Sequence, residues 1–452
     1  MTVQPNSVEA RDQAYQLHSY TNARALERDG ALVIDRGEGV YVYDNNGKRY
    51  IEAMSGLWSV AVGFGEKRLV DAAARQMSIL PYYHTFTGRT HGPSVDLAEK
   101  LIQMAPVPMS KVYFTNSGSE ANDTAMKMVW YRSNALGKPE KKKIISRVKG
   151  YHGVTIASAS LTGLPNNHRS FDLPLSNILH TTCPHYRVFA QEGETEEEFV
   201  ARCAGDLEDL ILKEGPETVA AFIGEPVMGA GGVIVPPPGY WDAIQVVLRK
   251  YDILLIADEV ICGFGRTGEM FGTTTFGLQP DIITVSKQLS SSYQPISALL
   301  INERVYAPLA DESAKIGTFG HGFTASGHPV AAAVALENLA IIEERDLVGN
   351  VRELSPLFMK RLKAMEAHPL AVEARGVGLI GALELHSRDG FAAGQLGPKF
   401  AALMLDKGVI GRAIGDSIAL CPPLIVDEQQ INTIFDTFEA SLDAFAKEIG
   451  AD

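Results

Sequence analysis

Between residues 100 and 310, short apolar runs rich in β-branched residues alternate with stretches whose apolar positions recur every three or four residues. The runs at 111–115, 142–147, 219–224, 253–257, 281–285 and 296–301 are nearly continuous in apolar character. Strands covered on both faces read this way, whereas half-exposed strands alternate. Helical spacing occupies 119–135 and 240–249 between them. Repeated strand and helix units of this kind predict an α/β domain with a mainly parallel sheet, whose ligands lie at the carboxyl ends of the strands. From about residue 327 the pattern changes to α+β: an alanine-rich helix through 342, a helix at 354–366, strands at 378–385 and 417–421, and a terminal helix at 428–448. Near the start, 39–43 and 49–53 flank Asn45-Asn46-Gly47 as a hairpin. A hairpin so small needs a partner for its apolar face, and the C-terminal part is the natural one. A single core rarely grows past roughly 300 residues. The expected division is an N-terminal segment 1–65 belonging to a small domain, a large domain 66–326, and the rest of the small α+β domain at 327–452.

Composition narrows the class. The chain has 452 residues, 46% hydrophobic and 21% charged, as expected of a soluble globular protein. Its formal net charge is −13 and it has no basic stripe, which argues against nucleic-acid partners. Cys183, Cys203, Cys262 and Cys421 share no CxxC spacing, so a disulfide framework is not expected and a reducing cytoplasm is the simplest location. The polar N-terminus lacks a signal-peptide core, and no apolar run reaches the roughly 18 to 20 residues of a membrane helix. His180, Cys183 and His185 have no fourth ligand at zinc-type spacing, so no metal site is expected.

Four stations follow the predicted strands. Thr115-Asn116-Ser117-Gly118-Ser119-Glu120-Ala121 joins a strand to a helix, and its small residues let backbone N–H groups approach an anion; an ordinary helix cap by Ser117 or Ser119 is the competing reading. Gly150-Tyr151-His152-Gly153 places an aromatic between glycines where it can lie against a planar ring, or simply pack on the surface. Asp258 closes an apolar strand, where burial demands a compensating partner: a protonated ring nitrogen, or a structural ion pair with Arg266. Lys287 ends another apolar strand, where partial desolvation lowers an amine's pKa and frees it as a nucleophile. Each station alone is weak, but four strand exits directed to one sheet edge reinforce one another. Two GxGxxG matches are discounted as dinucleotide sites. Gly263 to Gly268 is followed at 271–275 by no helix pattern, and Gly376 to Gly381 runs into a strand.

Together with Gly224-Glu225-Pro226, Gly263-Phe264-Gly265-Arg266-Thr267-Gly268 and His321 to Pro329, these segments resemble the class III aminotransferases of pyridoxal-phosphate (PLP) fold type I. The resemblance spans nearly the whole chain in the right order. Ser55-Gly56-Leu57-Trp58, Tyr83-His84-Thr85-Phe86 and Gly411-Arg412 further resemble the (S)-selective amine:pyruvate branch, the ω-transaminases. It implies a large PLP-binding domain and the cofactor pyridoxal 5'-phosphate. Lys287 would form the internal aldimine and shuttle a proton, and Asp258 would pair with the pyridine nitrogen. Tyr151 would stack on the ring, Gly118 and Ser119 would hold the phosphate, and Glu225 would join the cofactor site. Thr324 would reach the phosphate of the other subunit of a homodimer, possible tetramers aside. The implied reaction moves an amino group from a primary amine or ω-amino acid to pyruvate or another 2-oxo acid by a ping-pong cycle. Trp58, Phe86 and Tyr151 would cover an apolar substituent and Arg412 would clamp a carboxylate. The alternatives are a 2-oxoglutarate-dependent member of the 4-aminobutyrate, ornithine or diamine type, and a non-catalytic PLP-binding regulator. One departure stands out: Gln288 follows the lysine where the family usually has glycine.

Overall fold

The computed structural model describes residues 4–450. At the N-terminus, β1 (Ile34–Glu38), β2 (Tyr41–Asp44) and β3 (Arg49–Glu52) form an antiparallel ladder. Asn45, Asn46 and Gly47 make the β2–β3 turn, with Gly47 at φ +83°, a conformation glycine adopts without penalty. Seven strands follow: β4 (Lys111–Thr115), β5 (Lys143–Arg147), β6 (Ile178–Thr181), β7 (Val219–Gly224), β8 (Leu254–Asp258), β9 (Ile282–Val285) and β10 (Ser297–Ile301). They form one sheet in the order β4-β10-β9-β8-β7-β5-β6. The β5–β6, β5–β7, β7–β8 and β8–β9 pairings are parallel, while β10 runs antiparallel to both β4 and β9. Two reversals restore direction, so β4 points the same way as β5 to β9 and its carboxyl end lies on the same edge of the sheet.

The continuous apolar runs arise because helices cover both faces. β7, β8, β9 and β10 are buried at every position. The sequence pattern missed β6, a four-residue edge strand whose Leu179 and His180 are only half-buried and so carry little apolar signal.

After β10 come β11 (Ala371–Val377), β12 (Ile380–Leu385), β13 (Val409–Ile410), β14 (Arg412–Ile414) and β15 (Ser417–Leu420). A second four-stranded sheet has the order β11-β12-β15-β14. β13 instead pairs in parallel with β3, seating the N-terminal hairpin on the C-terminal part of the chain. β11 escaped the sequence reading because Glu373 and Arg375 interrupt its apolar positions. The helix expected from 354 begins earlier, at Leu347, and continues through Pro356 to Ala364. Its start is set by Asp346, whose side chain accepts from Gly349 N–H. The terminal helix Glu428–Glu448 opens with an Asp427–Gln430 capping box. Among the described residues no helix is long and apolar enough to cross a membrane.

Candidate active site

The four stations leave the carboxyl ends of β4, β5, β8 and β9, and a fifth residue, Glu225, leaves β7. At the first station Ser117 caps the helix Gly118–Ala135 by accepting from Glu120 N–H at 3.2 Å. The first helical bond runs from Ala121 N–H to Ser117 O. The N–H groups of Gly118 and Ser119 therefore precede the helix's internal bonding, where the dipole favours an anion. Ser119 Oγ adds a hydroxyl beside them and accepts from Val154 N–H at 3.1 Å. Gly153 permits that approach: it has φ +137°, and a Cβ there would sit 2.5 Å from Ser119 Oγ. Cap and anion cradle thus coexist, since Ser117 performs the first role and leaves the second open.

Asp258 is 3% exposed. Its Oδ2 accepts from His152 Nδ1 at 2.7 Å and Asn122 Nδ2 at 2.9 Å, while Oδ1 takes Val260 N–H at 3.1 Å. Arg266 is not its partner, which corrects the ion-pair alternative. That guanidinium donates to Leu379 O, Pro422 O, Ser55 Oγ and Gln288 Oε1. A buried carboxylate held by hydrogen bonds, with acceptor capacity left on Oδ1, fits a protonated ring nitrogen. Glu225 is buried as well. It accepts from Tyr151 N–H and Gly229 N–H, each at 3.0 Å, which fastens the Tyr151 loop to the exit of β7. Burial pushes its pKa up, against a downward pull from His152.

Tyr151 faces Tyr20 and Arg412. Burial and then the Tyr20 phenol push its pKa up, while Arg412 pulls it down. Burial lowers the Arg412 pKa against the pull of those same two phenols, and among the described residues Arg412 forms no salt bridge. Tyr20 was not anticipated; it lies on the N-terminal segment with φ +51°, and its hydroxyl accepts from Asn167 Nδ2 at 2.5 Å. Lys287 opens a 3₁₀ turn at φ +43°, left-handed and unusual for a non-glycine residue. The residue is half-buried. Burial lowers the pKa of its amine, Asp258 and Glu225 oppose this, and Arg412 reinforces it. Such an amine is a better nucleophile and base near neutrality than an exposed lysine.

Trp58 is 2% exposed and packs with Met54, Val227, Val233 and Ile261. Its turn carries positive φ at Ser55, Gly56 and Trp58. The turn is held by the buried Glu52 carboxyl, which accepts from Met54 N–H at 3.2 Å and from Gly56 N–H. Phe86 is 42% exposed and lines a cavity of about 850 Å³ with Tyr113, Phe319 and His321; a Cβ on Gly322 would meet its ring at 2.6 Å. Exposed Thr324 accepts at its carbonyl from Tyr82 Oη.

Asn122 and His152 were missed because their role depends on contacts across the sheet edge; the adjoining motifs were the only sequence signal. The Gly263–Gly268 loop does lead into one helical turn, Gly272–Thr275, contrary to expectation. Its first N–H groups, Gly272 and Thr273, are taken by Glu259. A carboxylate therefore fills the place a phosphate would need. Gly376 to Gly381 is the β11–β12 hairpin. His185 does meet Glu373 and Glu384, but Arg375 already bridges the two carboxylates at 2.8 and 2.7 Å. A guanidinium holds the position a metal would take.

Phosphate cradle, aromatic, ring-nitrogen acceptor and low-pKa lysine are the donor set for pyridoxal 5'-phosphate. Residues 24–442 match the family described as aminotransferase class III. The chain is 52% identical over 417 residues to a gamma aminobutyrate transaminase 1, mitochondrial, of Solanum lycopersicum, covering 91% of this chain and 81% of that one. It is 51% identical to a vanillin aminotransferase of Capsicum chinense, covering 91% of each. The ω-transaminase of Pseudomonas jessenii in complex with PMP superposes with a TM-score of 0.97 at 60% identity, over 98% of this chain and 99% of that one. On these grounds the chain belongs to the class III aminotransferases, PLP-dependent transaminases of fold type I.

Proposed function

We propose that this enzyme moves an amino group from a primary amine or ω-amino acid to pyruvate. When bound, PLP supplies the electron sink and carries the amino group between the two half-reactions. Gly118 and Ser119 would hold its phosphate, Asp258 would keep a proton on its ring nitrogen, and Tyr151 would stack on its ring. Glu225 positions Tyr151 through its backbone. Lys287 holds the cofactor and, once free, moves a proton to and from the carbon that bears the amine. Its lowered pKa suits both roles.

The observation that carries the substrate reading is Arg412, a half-buried cation beside the Tyr20 and Tyr151 phenols that forms no salt bridge among the described residues. It suits an oxo acid's carboxylate, while Trp58 and Tyr151 supply apolar walls for the amine's substituent. One relative is named for gamma aminobutyrate, and a variant of the similar ω-transaminase was engineered for the synthesis of bulky amines, so both kinds of donor stay in view. A second reading, with 2-oxoglutarate as acceptor, requires a cation for the distal carboxylate in addition to Arg412, the basic group that acts on Lys287. An acceptor panel separates the two. Pyruvate is expected to outpace 2-oxoglutarate, and Arg412→Ala to lose about 10- to 100-fold with pyruvate while aldehydes change little. Equal losses on both acceptor classes, or faster turnover with 2-oxoglutarate, would count against the proposal.

The working unit we propose is a homodimer, in which Thr324 and Phe86 serve the site of the second copy. Both are exposed in one protomer, where the carbonyl of Thr324 accepts from the exposed Tyr82, and so are open to a second copy. The four buried, free cysteines fit a reducing compartment, and we place the enzyme in the cytoplasm.

A further inference from the structure

Gln288 follows the lysine directly and is fully buried, at 0% exposure. Its side chain is fully engaged. Nε2 donates to Ile261 O at 3.0 Å and to Gly263 O at 2.8 Å, and Oε1 accepts from Arg266 Nη2 at 3.4 Å. Arg266 is itself 0% exposed, and the acceptors it reaches are neutral: Gln288, Ser55, Leu379 O and Pro422 O. One guanidinium therefore touches the turn after Lys287, the turn that carries Trp58, and two stretches beyond residue 370.

The backbone of the same segment is pinned from the other side. Asn338, 0% exposed on the helix Pro329–Glu344, donates to Gln288 O at 2.8 Å and Leu289 O at 3.1 Å. Its Oδ1 accepts from Ser291 Oγ at 2.6 Å, and Ser291 Oγ accepts from Ala61 N–H and Val62 N–H. Between these anchors Lys287, Ser291 and Ser292 have φ of +43°, +49° and +58°. Left-handed non-glycine residues persist only where their surroundings over-determine them.

We propose that Gln288 is a positioning residue for the reaction: its three side-chain bonds hold the strained turn so that the Lys287 amine keeps one placement relative to the Trp58 turn. Asp258, Glu225, Arg412 and Cys421 act on that amine electrostatically, so a displaced turn changes both its distance to the reacting carbon and its electrostatic surroundings. The proposal rests on Lys287 being the cofactor-holding and proton-moving group.

Gln288→Met keeps the length of the side chain and removes its hydrogen bonds. With cofactor bound, it is expected to move the pH titration of the lysine-linked cofactor absorption by about half a unit or more. It should lower kcat by about 10-fold or more, with the amine KM within about twofold. The kinetic isotope effect from donor deuterated at the amine-bearing carbon should rise, because proton movement by a misplaced lysine becomes rate-limiting. Should Gln288→Met not accumulate folded, Gln288→Gly, which leaves room for water to satisfy the three partners, carries the same measurements. A folded variant with unchanged titration and isotope effect overturns the proposal. Lys287→Ala keeps the two claims apart: loss of the lysine-linked absorption and of turnover upholds the reading of Lys287, so silence in the Gln288 variants then removes the positioning role alone.

Discussion

Glu52 shows how a residue outside the cofactor's reach shapes the site. Its carboxyl has no basic partner among the groups acting on it, only backbone N–H groups of the Trp58 turn, and burial raises its pKa to about 8. An unfolded glutamate titrates near its ordinary value of 4.5. Between these values the native state binds the proton more tightly than the unfolded state. Its contribution to stability is therefore complete below pH 4.5 and is lost as pH rises through about 8, by roughly 1.4 kcal/mol per pH unit inside that window. Glu52→Gln cannot ionise, so its melting temperature should gain on the parent enzyme from pH 5 to 8 and then run parallel to it. A pH-independent offset would show that Glu52 does not titrate in this range.

The start of helix Gly118–Ala135 separates two jobs that sequence motifs run together. Ser117 serves the fold by capping Glu120 N–H, while the proposed phosphate contacts fall to Gly118 and Ser119. Ser117→Ala is expected to lower apoprotein stability by about 1 kcal/mol, read from its thermal unfolding. Ser117→Asp should restore that stability yet weaken cofactor binding, since its charge would stand beside the phosphate. Titration of the two apoproteins with PLP checks this; equal affinities would place the phosphate elsewhere. The same logic explains Glu259, whose carboxylate serves the Gly272–Thr275 turn and makes the preceding glycine-rich loop structural.

Across the whole molecule, the site is assembled from distant parts of the chain: Tyr20 near the start, strand exits from the middle, and Arg412 near the end. A shared site would extend this assembly to a second copy. Mixing Lys287→Ala with Thr324→Glu protein, each inactive alone, should regain activity after subunit exchange, because one site of each mixed dimer then has an intact lysine and an intact threonine. No recovery despite mixed dimers, confirmed by mass, would assign Thr324 to its own chain's site or to none.

Continuous apolar runs by themselves determined the large sheet, because strands covered on both faces carry no alternation, and the stations stood out because polar residues at the ends of such runs have few structural uses. The strand-exit positions of Lys287, Asp258, Tyr151 and the 115–121 segment were legible on that basis, while the roles expected of them came from the family resemblance; the short edge strand β6 and the charge-interrupted β11 were not legible. Tertiary structure alone decided that β10 reverses twice so that β4 joins the common edge, and that Asp258 meets Asn122 and His152 while Arg266 binds Gln288. Phe86 and Thr324 came out exposed and Trp58 buried for the same reason. Local pattern records how each side chain is solvated, whereas hydrogen-bond partners between segments hundreds of residues apart exist only once packing has brought them within 3 Å or so of one another.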